Sequence, residues 1–470
     1  MTAGASTSTR RTTSNHPGEV LGASSTLRSP SPVTQGVMGR RGWFLVILNF
    51  LIPGSAQVLA GSRKLGRFGL GLTLLSWAFV ALAGVLYFVW PSILYVVATN
   101  PIALWVAQVA LVAYAILWIV LTIDTLRLVR FVRVRGSARP AIAAFAVVLL
   151  AVGAGTAAYG ATIAGVTRET VTSIFSATPP EPPIDGRYNI LLLGGDAGPD
   201  REGLRPDSIS VVSIEDATGA VSMLGLPRDL RDIPFSAESP MLATYPDGYG
   251  DGNYCDVDVC QLNSIYTEVT LKSPELYPDA VAQGSEPGIE AMRDAVEGAL
   301  GIQIQYYVLI DMYGFEQLID ALGGVTIDVT ERIPIGGSED LSDVEAWIEP
   351  GVQHLDGNWA LWYARSRHGS AAGDYARMER QRQVQQAMLQ QMDPANVLLR
   401  FQDVAQAGAD VVKTDIPQGT LGRFVELALK AKEQPITEVE FVPPTIDPEY
   451  PDYDLIQQMT RDALAPTSME

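Results

Sequence analysis

Five arginines, Arg365, Arg367, Arg377, Arg380 and Arg382, fall within the stretch RSRHGSAAGDYARMERQRQ at 365–383, in a part of the chain that is otherwise acidic. A helix opening at Asp374 would carry Asp374, Arg377, Gln381 and Val384 on one face, at spacings of three and four. A carboxylate at that first position suits the exposed amides and the helix dipole. Arg365 and Arg367 are two apart, so an extended backbone aims both the same way. Guanidinium groups stay charged at any relevant pH, so bringing Arg365, Arg367 and Arg377 together is costly unless an anion fills the gap. A diphosphate is a natural filler. Each charge-assisted hydrogen bond to it is worth about 1.5–3 kcal/mol, with Gln381 adding a neutral donor. Arg380 lies at the margin of this stripe and Arg382 well off it, which reads as a solvated or salt-bridged face. His368 beside the arginine pair reads as a solvated loop histidine rather than a base.

Two further stretches place polar groups at strand ends. In LLLGGDAGPDREGLRPDS an apolar run ends in Gly194, Gly195 and Asp196, and Asp207 follows just before the next apolar run. Glycines there let a ligand approach the backbone, and two carboxylates returning to one edge can hold a divalent cation. Spacing alone equally fits ordinary solvated charges, as it does for Asp200 and Glu202. In LPRDL, Arg228 ends another strand-like run, placed either to pair with carboxylates or to bind an anion.

These groups need a scaffold, and charge divides the chain in two. Residues 1–166 hold 13 Lys/Arg and two acids, Glu19 and Asp124, which leaves 20 basic and 50 acidic residues of the chain's 33 and 52 beyond. That asymmetry reads as a membrane module with basic flanks followed by an acidic domain on the other side, and not as a nucleic-acid binder. Runs at about 68–90, 102–123 and 141–164 are long and apolar enough to span a bilayer. A fourth, 43–61, is interrupted by Asn49, Pro53 and Gly54 and has basic residues at both ends, which fits a re-entrant hairpin better than a crossing. The basic loop at 127–140 is then cytoplasmic, and everything after Gly165 lies outside. Residues 1–42, rich in Ser, Thr, Pro and Gly, read as a disordered cytoplasmic tail. Cys255 and Cys260, close together in the half placed outside, read as a local disulfide.

Beyond a Pro-rich stalk at 166–186, a domain is expected over 187–442. Strand patterns occur at 188–195, 208–214, 220–226, 305–310, 325–329 and 437–442. Helical patterns occur at MYGFEQLIDAL and at about 374–392, 396–411 and 419–432. Such alternation predicts an α/β fold, an α/β/α sandwich with helices on both faces of one sheet. Residues 443–470 read as a Pro-rich tail with one short helical pattern.

The motifs NILLLGGD, RPDS, LPRD, QLNSIY, DMYGFEQLIDALGGV, LDGNWALWYARSR and D-x-x-R-x-x-RQ occur in that order between about residues 188 and 389. In them the chain resembles the LytR-CpsA-Psr family of cell-wall glycopolymer transferases. The resemblance implies transfer of a glycan with one phosphate from a polyprenyl diphosphate lipid to a peptidoglycan hydroxyl. It implies that Asp196 and Asp207 attend a magnesium (or manganese) ion. Arg228, Arg365, Arg367, Arg377 and Gln381 match the family's diphosphate ligands, and Asp374 an acid that orders the arginines. Catalysis would thus involve Asp196, Asp207, Arg228 and Asp374. Gln261 stands where the family often has a basic residue, leaving Asn263 and Tyr266 as polar candidates nearby. The lipid tail needs an apolar tunnel, for which Leu191, Leu193, Val211, Phe315, Leu318 and Leu322 are candidates, though the same pattern fits plain core packing. The expected localisation is the cell membrane, multi-pass, with the catalytic domain extracytoplasmic. The alternatives are a polyprenyl diphosphate hydrolase and a non-catalytic membrane regulator or lipid-binding module.

Overall fold

The structure is a computed structural model that describes residues 35–195, 205–250, 255–257, 259–338, 341–367, 373–391, 412–432 and 434–465. Asp196, Asp200, Glu202, His368, the helical pattern at 396–411 and most of the N-terminal tail lie outside the described residues. The chain divides into two compact units, Met1–Gly84 with Val109–Ala161, and Val85–Gln108 with Thr162–Glu470.

In the first unit, α1 (Gln35–Leu51) and α2 (Ser55–Ala60) are separated by a break at 52–54. Pro53 lacks an amide proton, and Gly54 adopts φ 95°, which glycine tolerates best. A Cβ at Gly54 would also lie 2.4 Å from the backbone nitrogen of Leu70, so the break packs tightly on α3 (Arg63–Val89). Two buried amides tie the broken segment to α5 (Pro101–Val129). Gln57 Nε2 donates to Leu121 O at 2.8 Å and Thr125 Oγ1 at 2.9 Å, and Asn49 Nδ2 to Thr122 Oγ1 at 3.4 Å. Among apolar helices such bonds act as specific glue. α3, α5 and α6 (Ala138–Ile174) are long and apolar enough to cross a membrane. At 37 residues, α6 measures about 55 Å, well beyond the roughly 30 Å of a hydrocarbon core.

In the second unit, α6 ends where the domain begins. The stretch at 166–186 is not a free spacer: it is helical to Ile174, and its next residues are bonded to the domain. Ser176 N donates to Ile416 O at 3.0 Å, Gln418 N to Ser176 O at 2.9 Å, and Glu181 N to the Tyr306 hydroxyl at 2.9 Å. The short helix α4 (Pro91–Thr99) belongs to the same unit.

The domain is built on a six-stranded sheet in the order β10-β3-β2-β1-β4-β9. Its strands are β1 (Arg187–Gly195), β2 (Pro206–Glu215), β3 (Val221–Leu226), β4 (Tyr306–Asp311), β9 (Val412–Thr414) and β10 (Ile436–Glu440). β1 pairs antiparallel with β2 and parallel with β4. Side chains alternate across this sheet. Leu191, Leu193, Val211, Leu224 and Leu309 face α7 (Ile265–Lys272) and α8 (Pro287–Leu300) in the main core. Ile190, Leu192, Val212, Met223, Val308 and Ile310 face the other way, where α11 (Asp374–Gln391) and α12 (Leu421–Ala431) lie. This is the expected α/β/α sandwich. A smaller layer carries two antiparallel pairs, β5 (Val325–Val329) with β8 (Gly351–Leu355) and, between them in sequence, β6 (Ile333–Gly336) with β7 (Val344–Ile348). It packs with α9 (Met312–Leu322) and α10 (Gly357–Arg365) around its own core.

The domain does not stop at Val442. α13 (Tyr453–Leu464) buries Ile456 completely in the main core, and Ser222 Oγ donates to Ala463 O at 2.9 Å. Cys255 and Cys260 are disulfide-bonded as expected.

Candidate functional site

β1 and β4 run out to the same edge of the sheet, where β2 begins and β3 ends. At this edge β1 bulges between Gly194 and Gly195, and a Cβ at Gly194 would lie 3.0 Å from that of Ser208, so the strands pass close. Asp207 is the second residue of β2, and Arg228 follows β3 by two residues. The Arg228 loop is fixed from the other layer: Asn263 N donates to Arg228 O at 3.1 Å and Leu262 N to Leu230 O at 3.0 Å. Arg365 closes α10, and Arg367 follows it across a single extended residue, Ser366. Asp374 and Arg377 come from the first turn of α11.

The five side chains Asp207, Arg228, Arg367, Asp374 and Arg377 form one ion cluster. Arg228 Nη1 donates to Asp207 Oδ1 at 2.7 Å, while its Nε lies 3.4 Å from Asp374 Oδ2. Arg377 Nη2 donates to Asp374 Oδ2 at 3.0 Å and Asp207 O at 3.2 Å. Arg367 reaches Asp207 Oδ2 and Asp374 Oδ1, each at 3.4 Å. Arg377 is only 2% exposed. Burial, and after it the neighbouring Arg367 and Arg228, lower its pKa to about 10, against the opposing pull of Asp374 and Asp207, so it stays charged near neutrality. For Arg228 burial also pulls downward, but Asp207 and Asp374 outweigh it and hold its pKa above the ordinary value.

The cluster stands at the mouth of a cavity of about 770 Å³. Arg205, Asp207, Arg228, Gln261, Asn263, Arg365, Arg367, Arg377, Gln381 and Gln385 supply its polar wall. The apolar remainder includes Leu192, Leu193, Val212, Met223, Val308, Ile310, Phe315, Trp362, Met388 and Leu389. Among the described residues around the mouth, five arginines face three carboxylates, counting Asp311 and Asp374 with Asp207, which leaves two positive charges over. Arg365 makes no ion pair among the described residues and lies 6.0 Å from the Trp362 ring centre. The arrangement is a cationic mouth on an apolar chamber, suited to a ligand with an anionic head and a hydrocarbon tail.

Several candidate residues fall elsewhere. Leu191 and Val211 point into the main core, because the strand period puts their even-numbered neighbours in the cavity. Leu318 and Leu322 are absent from the described lining, whereas Leu193 and Phe315 belong to it. Tyr266 is buried on the opposite face, where its hydroxyl donates to Glu286. Arg380 is not solvated: it is 4% exposed, donates to Tyr363 O at 3.0 Å and to Ser366 O, and pairs with Glu331. It thereby braces the segment that carries Arg367. Arg382 pairs with Glu438 and Glu440, fastening α11 to the edge strand β10. Arg205 and Gln385 were not singled out by sequence; Arg205 adjoins the Pro-Asp-Ser run, and Gln385 lies one helical step beyond Gln381.

A divalent cation has oxygen donors here. Asp207 and Asp374 are brought to one place, and Asp374 Oδ1 is buried without a hydrogen bond among the described residues. Magnesium takes one or two carboxylates and completes its shell with water and substrate phosphate, which fits this pair. Among the described residues no group of three or more His, Cys, Asp and Glu has the spacing of a metal site.

The six-stranded sheet with helices on both faces carries an arginine–carboxylate cluster beside an apolar chamber. The LytR_cpsA_psr family profile matches residues 165–465, and the chain belongs to that family. It is 30% identical over 235 residues to the regulatory protein MsrR of Staphylococcus aureus, covering 50% of this chain and 58% of that protein. It is 28% identical over 230 residues to the polyisoprenyl-teichoic acid–peptidoglycan teichoic acid transferase TagU of Halalkalibacterium halodurans, covering 49% and 61%. The chain thus spans somewhat over half the length of these relatives. A solved LytR-Csp2A-Psr enzyme from Actinomyces oris aligns over 61% of this chain and 94% of its own at 21% identity, with a TM-score of 0.38.

Proposed function

We propose that the protein is a membrane-anchored phosphotransferase of cell-wall assembly, moving a glycopolymer with one phosphate from a polyprenyl diphosphate carrier to a peptidoglycan hydroxyl. The observation that carries this reading is the arginine–carboxylate cluster at the mouth of an apolar chamber. The chamber takes the prenyl chain, and Arg228, Arg365, Arg367, Arg377 and Gln381 hold the diphosphate. Asp374 and Asp207 keep three of those arginines convergent before substrate arrives, so little reorganisation is needed on binding. The acidic remainder of the domain leaves this mouth as a basic spot that attracts an anionic head group.

The acceptor oxygen attacks the phosphorus that bears the glycan. A P–O bond forms to peptidoglycan, the P–O bond to the lipid-side phosphate breaks, polyprenyl monophosphate departs, and the hydroxyl proton passes to solvent at the open mouth. Phosphoryl transfer depends chiefly on positioning and on neutralising charge, which is what an arginine clamp supplies. Asp207 and Asp374 would hold a magnesium ion, which when bound adds to the neutralisation of the phosphate oxygens; the family resemblance adds Asp196, outside the described residues, to that set. The module is read as multi-pass, with basic loops inside and the catalytic domain outside.

The test places the full-length protein in proteoliposomes with a polyprenyl diphosphate glycan, Mg²⁺ and peptidoglycan oligomers. Glycan covalently attached to the oligomers is the expected product. Free phosphorylated glycan would instead make the protein a hydrolase, and binding without turnover a lipid-binding module.

A further inference from the structure

Two contacts join membrane-side segments to one end of the catalytic sheet. The first is the bonding of Ser176 to Ile416 and Gln418 described above. The second is the packing of α4 against α12. Gly422, the second residue of α12, is buried, and a Cβ there would lie 2.4 Å from Val96 Cγ2, 2.9 Å from its Cα and 3.0 Å from its Cβ. Only a glycine admits the helix at this distance, as at close crossings of membrane helices. α4 also keeps apolar side chains exposed, with Ile93, Val96 and Val97 each 43–50% accessible.

Strand direction locates this junction. β1 starts at Arg187, beside the junction, and ends at Gly195, at the arginine mouth. Eight residue steps separate them, about 26 Å. The chamber lies between. Its lining residues Leu192 and Val308 pack with Leu421, Phe424 and Leu427 of α12, so the end away from the mouth abuts the helix on which α4 sits.

We propose that α4 is a membrane foot of the catalytic domain, seated in the notch left by Gly422. It holds the inner end of the chamber at the outer bilayer surface and the arginine mouth away from it. Gly422 is then a positioning residue for donors embedded in a bilayer. This proposal rests on the phosphotransferase reading, and makes the seat matter only for donors drawn from lipid.

The experiment uses the full chain in proteoliposomes with two donors, a long-chain polyprenyl diphosphate glycan in the bilayer and a short-chain, water-soluble analogue. In Gly422→Leu the long-chain kcat/KM should fall at least tenfold while the short-chain value stays within twofold. Val96→Asp, which leaves α12 intact, should give the same split. An unchanged long-chain rate in both variants overturns the seat. So does an equal fall with both donors, which would make Gly422 a residue of the domain's own folding. If the unaltered protein turns over neither donor, the phosphotransferase reading fails while the seat is judged by cross-linking. Val96→Cys with Gly422→Cys needs only a small shift to reach disulfide range. The native cysteines are bonded to each other. After protease cleavage at a site inserted near residue 180, the halves should stay together on a non-reducing gel; separation there overturns the seat.

Discussion

Replacing Arg377 by lysine keeps a positive charge and removes the planar fork, which makes it the sharpest probe of the cluster. Arg377 Nη2 serves Asp374 Oδ2 at 3.0 Å and Asp207 O at 3.2 Å, and Nη1 lies 3.6 Å from Asp207 Oδ2. A single ammonium group cannot hold both carboxylates and still meet a phosphate oxygen in the same geometry. Losing one charge-assisted bond to the transferring group costs about 1.5–3 kcal/mol, or roughly 10- to 150-fold in kcat/KM. The fold should survive, because Asp207 and Asp374 retain Arg228 and Arg367. The burial that brings the arginine down to about 10 acts on a lysine that starts about two units lower. Arg377→Lys should therefore lose its residual activity as pH rises from about 7 to 9, while the unaltered protein changes little there. The assay is the transfer reaction in proteoliposomes over that pH range, with circular dichroism as the folding control. A variant within twofold of the parent, with a flat pH profile, would refute a diphosphate-binding role for the cluster.

Other consequences follow from particular contacts. Met223→Trp would fill the chamber beside Val212 and Leu389; it should raise KM for a long-chain donor at least tenfold and leave a short-chain donor little affected. Glu297 is pushed up to about 7, first by burial and then, against the Ile304 amide, by Asp294 and Glu290. Its carboxyl binds a proton more tightly folded than unfolded, so it contributes stability at low pH that is lost as pH rises through 7. Discounted for its partial exposure, the effect is about 1–2 kcal/mol, and Glu297→Gln should flatten the melting temperature between pH 5 and 8. Cys255→Ser with Cys260→Ser opens a short loop and should cost about 2 kcal/mol by loop entropy, read as a lower denaturation midpoint.

The sequence was most informative where a regular period met a chemical need. The apolar runs of β1 to β4 and the face shared by Asp374, Arg377 and Gln381 were legible because hydrophobic period and helical spacing are local. What sequence left open was decided by long-range packing. Whether Leu191 or Leu192 lines the chamber turns on a single-residue phase, and an apolar run buried on both sides carries no phase signal. Arg380 and Arg382 read as a solvated or salt-bridged face, and the salt-bridged alternative holds, but sequence did not name the partners because Glu331, Glu438 and Glu440 lie 49 to 58 positions away. The Pro-rich stretches before Arg187 and after Val442 read as a stalk and a tail, since the first stretch's hydrogen bonds to Tyr306 and Ile416 and the second's apolar packing into the main core leave no local pattern. Arg365 and Arg367 converge on the chamber through a helix end and one extended residue, not through a strand.

The phosphotransferase reaction is tested most directly by following the phosphorus. A polyprenyl diphosphate glycan carrying radioactive phosphorus only in the glycan-side phosphate is incubated with the full-length protein and peptidoglycan oligomers. Label should enter the oligomers in a one-to-one ratio with glycan, as a phosphodiester. Glycan joined to peptidoglycan without that label, or label released as free glycan phosphate, would contradict it.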